Sequence, residues 1–273
     1  MKPDRVIIGT KSKRAERILK EMYSPFLRTG KPFLVMDQRS AEMTKYASNA
    51  MLASRISFVN EIANLCDRVG ADIESVRIGI GSDSRIGPQF IFSGVGYGGS
   101  CFPKDVRALI CKGKKVKYMP HLLSAVERVN EAQKGILVEK VLKHFKGNIR
   151  GKRFAVWGLS FKPRTDDMRD APSRKIIESL LRLGAKVTAY DPEAIRVAEK
   201  IFGNKISYAS TPYEALKGAD ALLVVTEWNE FRRPDYGRIK TAMKRHVIFD
   251  GRNIYNPQDM ARRGFIYYSI GRP

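Results

Sequence analysis

A short β-rich run, Arg153-Phe154-Ala155-Val156-Trp157-Gly158, opens the part of the chain that decides its fold class. Predicted helices and strands alternate after it. The predicted strands are 186–190, 219–226 and 247–250, the predicted helices are 172–183, 193–202 and 234–244, and a last helix–strand pair spans 257–270. Short β-rich runs separated by helical stretches indicate a parallel sheet with crossover helices. We therefore predict an α/β protein in which residues 148–273 form a C-terminal Rossmann-like domain.

The segment before this domain is predicted to be helical. Ser40 is a candidate helix cap, and apolar residues recur at helical spacing from there until Gly70. A helix of about 30 residues is about 45 Å long, and its apolar faces need other helices or a second copy of the chain to cover them. Further helices are predicted at Ile73–Ile80, at Pro103–Cys111 and, as one long helix, at 120–145. Residues 38–147 are thus predicted to be a central helical dimerisation domain.

The first 37 residues predict one strand–helix–strand unit. The strands are expected at Arg5–Gly9 and Pro32–Asp37, with an amphipathic helix at Lys13–Tyr23 between them. Such a unit is too small to bury a core by itself. We interpret residues 1–37 as the remnant of a larger N-terminal domain.

Composition excludes several classes of protein. Among the 273 residues, 43% are hydrophobic and 29% are charged, which is a globular balance. The longest apolar run, Ala221–Val225, is far shorter than the roughly 20 residues that a membrane span needs, and three cysteines do not make a disulfide framework. We therefore expect a cytoplasmic protein with no membrane association.

The net charge of +22 has three interpretations. The basic side chains could form an ordinary solvated surface, attract a phosphorylated small substrate, or bind nucleic acid. No zinc-ligand spacing, basic zipper or RNA-reading aromatic motif accompanies the basic clusters, so we expect no nucleic-acid partner. The three histidines (His121, His144 and His246) have no metal-binding spacing, and no metal site is predicted.

The candidate chemistry lies in a glycine-rich segment that ends at a cysteine. Four glycines within residues 94–99 permit positive φ and allow backbone N–H groups to approach a ligand closely. Pro103 suits the first turn of a helix, which places Cys101 at the helix N-terminus, where the dipole and Lys104 favour a thiolate. Such a thiolate can attack a carbonyl carbon, and Asp105 can orient a water or accept a proton. Cys66 and Cys111 are predicted to be packing residues.

Two further groups of residues are candidates for ligand binding. Lys45 and Asn49 lie four residues apart and so share one face of the long helix. The turn after the strand at 153–158 lacks the G-x-G-x-x-G fingerprint, and an NAD ribose at Asp191 is only weakly indicated. A nucleotide held in another manner, with Lys162 and Arg252 offered to phosphates at strand ends, fits better.

These residues coincide with the motifs of a known family. The chain resembles the UDP-glucose/GDP-mannose dehydrogenases, and within them the members that oxidise UDP-glucose. The matching segments, in chain order, are Ala41–Ala50, Gly98–Asp105, Gly158–Lys162, Thr165–Arg169 and Phe249–Arg252. They span almost the whole chain.

The resemblance implies an activity and its cofactor. Members of the family that act on UDP-glucose oxidise its C6 alcohol to the carboxylate and reduce two NAD⁺ per turnover. The cysteine of the motif, here Cys101, captures the aldehyde as a thiohemiacetal that the second hydride transfer converts to a thioester. Lys45 and Asn49 would donate to the developing oxyanion, and Asp105 would help to activate the hydrolytic water.

The resemblance also implies binding roles. Phe90, Tyr97 and Gly98 would line the nucleotide-sugar loop, Lys162 and Arg252 would hold the UDP portion, and Arg85 would reach the sugar site of a neighbouring subunit. Lys104 and Arg169 match residues that touch NAD. The long helix is similar to the core through which the family forms homodimers.

One departure from the family is large. In the family a complete NAD-binding domain precedes the segment that begins here at Pro3, so most of the NAD site has no counterpart in this chain. We expect a truncated or split form that is inactive alone. A GDP-mannose or other UDP-sugar dehydrogenase and a non-enzymatic UDP-sugar-binding module are alternatives, although the segment Thr226–Phe231 favours UDP-glucose.

Overall fold

The computed structural model describes residues 3–27 and 30–272 in two compact units, Met1–Met51 and Leu52–Pro273. The boundary between the units falls within one long helix. The domain boundaries predicted at 37/38 and 147/148 stay a prediction.

The first unit contains the predicted strand–helix–strand arrangement. Its elements are β1 (Val6–Gly9), α1 (Lys13–Tyr23), β2 (Phe33–Met36) and the beginning of α2 (Gln38–Val69). The two strands are parallel, with Val6 opposite Phe33. The hydroxyl of Ser12 accepts a hydrogen bond from the N–H of Ala15 and so caps α1.

Helix α2 has 32 residues, so it is about 48 Å long. The sequence-based choice of Ser40 as its cap is wrong. The helix begins two residues earlier, and the Asp37 carboxylate accepts the Ser40 N–H at 3.0 Å. The hydrogen bonds from Ser40 lower the pKa of Asp37, which keeps the carboxylate charged at the positive end of the helix dipole.

Four helices follow α2 in the second unit. They are α3 (Ile73–Gly81), α4 (Phe102–Lys115), α5 (His121–Gln133) and α6 (Ile136–His144). The single helix predicted at 120–145 is wrong, because the chain turns at Lys134 and Gly135. Gly135 donates to Ala132, three residues back, and glycine favours such a break because it is a weak helix former. The uninterrupted apolar spacing on both sides hides the break.

The rest of the second unit is the predicted parallel α/β domain. Its strands are β3 (Arg153–Trp157), β4 (Lys186–Tyr190), β5 (Ser207–Tyr208), β6 (Ala221–Val224), β7 (Val247–Asp250) and β8 (Ile266–Tyr268). Its helices are α7 (Pro172–Arg182), α8 (Ile195–Phe202), α9 (Pro212–Ala215), α10 (Asn229–Arg232), α11 (Tyr236–Ala242) and α12 (Pro257–Arg262). The sheet order is β5-β4-β3-β6-β7-β8, and every pairing is parallel. This is the strand order of a Rossmann fold, so the order reverses between β3 and β6, where such folds bind nucleotides.

Both faces of the sheet are buried, as a parallel sheet requires. Alternate residues of β3 show this: Phe154 packs into one hydrophobic cluster and Trp157 into the other. The first cluster also contains Val59 of α2 and Leu137 of α6. The helices of the second unit and its sheet therefore share one core.

A membrane-crossing helix would have to be both long and strongly apolar, and none within residues 3–27 and 30–272 is.

Candidate functional site

A cavity of about 250 Å³ lies in the second unit, where the glycine-rich loop meets the loops that follow β3 and β7. The sheet contributes Phe161 and Lys162 after β3 and Arg252 after β7, beside the point where the strand order reverses. The residues that line the cavity are Ile56, Asn60, Phe90, Phe92, Gly94, Gly96, Tyr97, Gly98, Phe102, Phe161, Lys162 and Arg252. Five of the predicted binding residues are thus together: Phe90, Tyr97, Gly98, Lys162 and Arg252.

Aromatic rings form much of the wall. Phe102 meets Tyr97 edge to face with ring centroids 5.8 Å apart, and it meets Phe90 in the same way at 6.4 Å. Such a wall suits a flat or apolar part of a ligand, and the two cations suit phosphate groups. The cavity therefore has the mixed chemistry that a nucleotide requires.

The glycines of the loop are needed for close packing. Gly96 and Gly99 have φ of +90° and +82°, which side chains rarely adopt. A β-carbon on Gly98 would lie 2.5 Å from the carbonyl oxygen of Asp170, and one on Gly99 would lie 2.8 Å from the Phe161 ring. The loop therefore lies directly on the segment before α7 and on the turn after β3.

The expectation that backbone N–H groups of this loop face a ligand is wrong for four of them. Gly94 donates to Asn60 Oδ1 at 2.8 Å, and Tyr97 donates to Asn130 Oδ1 at 2.8 Å. Val95 donates to the carbonyl of Gly251 at 3.0 Å, and Gly99 donates to the carbonyl of Arg169 at 2.7 Å. These donors hold the loop in place instead.

Cys101 is at the predicted helix start. Helix α4 begins at Phe102 with Pro103 in its first turn, and Cys101 occupies the cap position. The thiol is free and exposed, with its sulfur 3.7 Å from the Ser100 hydroxyl. Gly98 and Phe102, on either side of Cys101 in the sequence, both line the cavity.

The other two cysteines differ from each other. Cys66 is buried as predicted, and burial raises the pKa of its thiol. Cys111 is exposed, so the prediction that it packs in the interior is wrong. It lies on the outer side of α4, whose last turn carries three lysines.

Two charged residues follow Cys101 in the first turns of α4. Asp105 is only 2% exposed, and its N–H donates to the carbonyl of Cys101 at 2.9 Å. Lys104 is 72% exposed, and its Nζ lies 3.4 Å from Asp105 Oδ1. A buried carboxylate one helical turn from the thiol can accept a proton there.

Arg169 lies close enough to Cys101 for an electrostatic interaction. Its guanidinium binds Asp167 with two hydrogen bonds of 2.9 and 2.8 Å. The pKa of Arg169 is raised chiefly by these bonds and to a smaller extent by the charge of Cys101. Of the two predicted NAD-side residues, Arg169 is thus a cation near Cys101, and Lys104 lies in the first turn of the helix that Cys101 caps.

The two cations of the cavity are held in different ways. Lys162 lies 5.3 Å from the centre of the Phe161 ring, whereas Arg252 pairs with Glu227 through Nε at 2.5 Å. The Arg252 N–H donates to the buried Asp250, whose pKa is raised by desolvation. Asp250 also accepts hydrogen bonds from Ile254 and Tyr255, so it organises the loop after β7.

Asp191, which closes β4, has a structural role. Its carboxylate accepts the N–H groups of Leu159 and Ser160 from the turn after β3 and the indole N–H of Trp228. It also accepts the N–H groups of Glu193 and Ala194, and it is 1% exposed. These bonds occupy the carboxylate, so it is not placed to bind a ribose.

Three predicted site residues lie elsewhere. Lys45 and Asn49 belong to α2 within the first unit, one helical turn apart, and their action beside Cys101 stays a prediction. Arg85 is 88% exposed and binds Asp83 at 2.7 Å. Its role in a neighbouring subunit also stays a prediction.

Sequence reasoning missed five residues that line the cavity, namely Ile56, Asn60, Phe92, Phe102 and Phe161. The sequence held one signal for Asn60, because this residue directly follows Val59 on the apolar stripe of α2. The structure shows that Asn60 is completely buried. A buried amide among core residues needs polar partners. In the part of the chain that the structure describes, no three His, Cys, Asp or Glu side chains are grouped to hold a metal ion.

Comparisons with known proteins agree on one family. Residues 39–132 match the central domain, and residues 155–257 the UDP binding domain, of the UDP-glucose/GDP-mannose dehydrogenase family. The chain is 50% identical to the UDP-glucose 6-dehydrogenase of Pseudomonas aeruginosa and 45% identical to that of Rhizobium meliloti. Both matches cover 100% of this chain but only 61% and 62% of the relatives, so the chain spans about three fifths of their length.

Solved structures give the same result. The UDP-glucose dehydrogenase of the archaeon Pyrobaculum islandicum is 36% identical, with a TM-score of 0.88 over 100% of this chain and 60% of its own. A UDP-D-ManNAc dehydrogenase from Pyrococcus horikoshii is 26% identical, with a TM-score of 0.82 over 99% of this chain and 60% of its own.

Proposed function

Because the chain belongs to the UDP-glucose/GDP-mannose dehydrogenase family, we propose that it supplies the nucleotide-sugar and thiol part of an NAD-dependent UDP-glucose 6-dehydrogenase. The observation that carries the proposal is the position of Cys101. Its thiol is exposed at the start of α4, and residues on both sides of it line a cavity with aromatic and cationic walls. A nucleotide sugar in that cavity can present its C6 carbon to the sulfur.

Different parts of the cavity wall bind different parts of the substrate. Lys162 and Arg252 neutralise the diphosphate, since they are the cations that line the cavity. Phe90, Tyr97 and the loop at Gly98 contact the uncharged parts of the nucleotide sugar. Among sugar nucleotides we favour UDP-glucose over GDP-mannose, because both relatives named above that are at least 45% identical are UDP-glucose 6-dehydrogenases.

Cys101 acts after the first oxidation. Its thiolate adds to the C6 aldehyde, which forms a C–S bond and turns the carbonyl oxygen into an oxyanion. Loss of a hydride from that carbon gives a thioester. Water then attacks the thioester, the C–S bond breaks, and the products are the carboxylate and the free thiolate.

The neighbouring residues stabilise charge and move protons. The Lys45 ammonium and the Asn49 amide donate hydrogen bonds to the oxyanion, for which their shared helix face suits them. Asp105 accepts a proton from the attacking water. Its burial beside Lys104 keeps this carboxylate away from bulk solvent.

The residues near Cys101 fit NAD. Lys104 and Arg169 are cations with side chains 72% and 70% exposed, and they are suited to the phosphates of a dinucleotide that approaches the sulfur from solvent. NAD, when bound, accepts the hydride in each of the two oxidations.

We also propose a homodimer that forms through α2. Phe58, Leu65 and Val69 lie on one side of this helix and are 55%, 52% and 76% exposed. Exposed apolar side chains at helical spacing are typical of an interface. In such a dimer the exposed Arg85 is the residue proposed to reach the partner's sugar. The three free cysteines fit the reducing cytoplasm, where we expect the protein to act.

Titration calorimetry tests the substrate. We expect heat of binding from UDP-glucose and much weaker binding of GDP-mannose, and we expect Lys162→Ala to weaken UDP-glucose binding by at least about ten-fold, since a charged hydrogen bond is lost. Lys186→Ala, at the opposite end of the sheet strands, is the matched control. Equal binding of both nucleotides, or no binding of UDP-glucose, contradicts the proposal.

Alkylation tests the thiol. We expect iodoacetamide to label Cys101, and UDP-glucose to protect Cys101 at concentrations that leave the labelling of Cys111 unchanged. Cys111 is the matched control because it is exposed on the same helix, and buried Cys66 should react slowly. Protection of Cys111 to the same degree, or none of Cys101, would show that the substrate does not bind beside the proposed nucleophile.

A further inference from the structure

The buried amide of Asn60 is a feature of the cavity that the proposed mechanism does not use. Asn60 lies on α2, is 0% exposed and lines the cavity. Its Oδ1 accepts the N–H of Gly94 at 2.8 Å. Because an N–H must meet an acceptor, this bond fixes which end of the amide is oxygen and which is nitrogen.

The other end of the amide has no acceptor among the residues that the structure describes. Asn60 Nδ2 is buried and has no hydrogen-bond partner within residues 3–27 and 30–272. A buried donor without a partner costs free energy, and native proteins rarely keep one. An amide whose oxygen is tied to the cavity loop and whose nitrogen is unpaired is therefore suited to a ligand acceptor.

The surroundings hold this amide in a fixed orientation. The carbonyl of Gly94 accepts Gln133 Nε2 at 2.6 Å, and Gln133 Oε1 accepts Asn64 Nδ2 at 2.8 Å. Gly94 is thus held through both of its backbone groups, its N–H by Asn60 of α2 and its carbonyl by Gln133 of α5. A donor fixed in this way adds binding energy without losing much side-chain entropy.

We propose that Asn60 is a substrate-binding residue whose Nδ2 donates a hydrogen bond to an uncharged oxygen of the nucleoside in the cavity. The inference rests on the proposed function. The charges of the diphosphate are matched by Lys162 and Arg252, and a neutral amide among aromatic rings matches a neutral acceptor, such as a base carbonyl or a ribose hydroxyl.

Binding of UDP to two variants tests this role. Asn60→Leu removes both the acceptor for the Gly94 N–H and the Nδ2 donor. Asn60→Asp keeps an acceptor for Gly94 but removes the donor. We expect each variant to weaken UDP binding by at least about ten-fold in calorimetry. The Leu variant should keep the salt dependence of the wild type, because no charge is lost, whereas Lys162→Ala should reduce it. Cys66→Ala is the matched control, because Cys66 is buried on the same helix and does not line the cavity, and it should leave UDP affinity within about two-fold.

The outcomes separate the inference from the proposed function. If the wild type binds UDP and both folded Asn60 variants bind it equally well, the inference is overturned and the proposed function stands. A weaker affinity accompanied by a reduced salt dependence in Asn60→Leu also overturns it, since the effect would then come from a displaced cation. If the wild type does not bind UDP, both fail. Should the Leu variant not fold, the Asp variant decides by the same ten-fold criterion.

Discussion

The two compact units differ in where their apolar side chains lie. In the first unit Ile18, Met22 and Leu34 are 49%, 54% and 41% exposed, and Val6 and Ala50 are its buried hydrophobic residues within the described ranges. In the second unit Phe154 and Phe249 are 1% and 0% exposed and belong to a core that joins helices to the sheet. The second unit therefore has its own source of stability, and the whole candidate cavity lies within it.

Removal of a core ring should have the largest effect. Phe249 is fully buried and stacks on Tyr268 with ring centroids 4.9 Å apart. We expect Phe249→Ala to lower the free energy of unfolding of the second unit by about 3–5 kcal/mol. Denaturant unfolding followed by tryptophan fluorescence measures this, because both tryptophans, Trp157 and Trp228, lie in that unit. Phe26→Ala, at a 41% exposed ring in the first unit, should change the same transition by less than about 0.5 kcal/mol. Equal losses would mean that the two units unfold as one.

The next largest difference between the units is expected in the stability cost of a glycine substitution in each. Gly158 has a φ of +94°, and a β-carbon there would lie 2.4 Å from the β-carbon of Thr226. Gly30 has a φ of +75° with open space around it. We expect Gly158→Ala to cost at least about 2 kcal/mol, from backbone strain plus overpacking. Gly30→Ala should show only the backbone cost of about 1 kcal/mol, in the first unit. Thermal denaturation of both variants checks the difference, and a similar loss at the two sites would contradict the close packing at Gly158.

Amide hydrogen exchange should show the difference without any mutation. Amides of β1 and β2 are expected to exchange about 100-fold faster than those of β3 and β6, because local opening requires less free energy where little apolar surface is buried. Mass spectrometry of peptides from Val6–Gly9 and Ala221–Val224 provides the measurement. Protection of β1 equal to that of β6 would show that the first unit gains its stability from another source.

The smallest expected effect depends on pH and concerns the second unit. Burial, together with Arg245 and Lys152, lowers the pKa of His144 below its ordinary value of 6.5. The unfolded chain then binds a proton more readily than the folded one, so stability is retained above pH 6.5 and lost as the pH falls through the folded-state value. We expect the urea midpoint to decrease between pH 7 and pH 5, and His144→Gln to flatten that dependence. An unchanged slope in the variant would assign the acid sensitivity to other groups.

Much of the fold could be predicted from periodicity. The strands at 186–190 and 247–250 and the helix at 13–23 have the predicted bounds, because each is a regular pattern between clear breaks. Strand β5 has two residues and helix α10 has four, which is too short for any pattern to develop. The break at Gly135 was hidden because apolar residues continue on both sides of it.

The cavity could be predicted only in part. The glycine loop, Cys101 at the helix start, Lys162 and Arg252 were recognisable because each is unusual within its own segment. Asn60 was missed because its partner Gly94 lies 34 residues away in the sequence. The use of the loop N–H groups by Asn130, Gly251 and Arg169 depends on the same long-range packing, which local patterns do not contain.

The tight contact at Gly98 has a consequence for how the two ends of the site communicate. The loop presses on the carbonyl of Asp170, and its next residue donates its N–H to Arg169. A displacement of residues 169–170 would therefore also displace the backbone of Gly98 and Gly99, which lie three and two residues before Cys101.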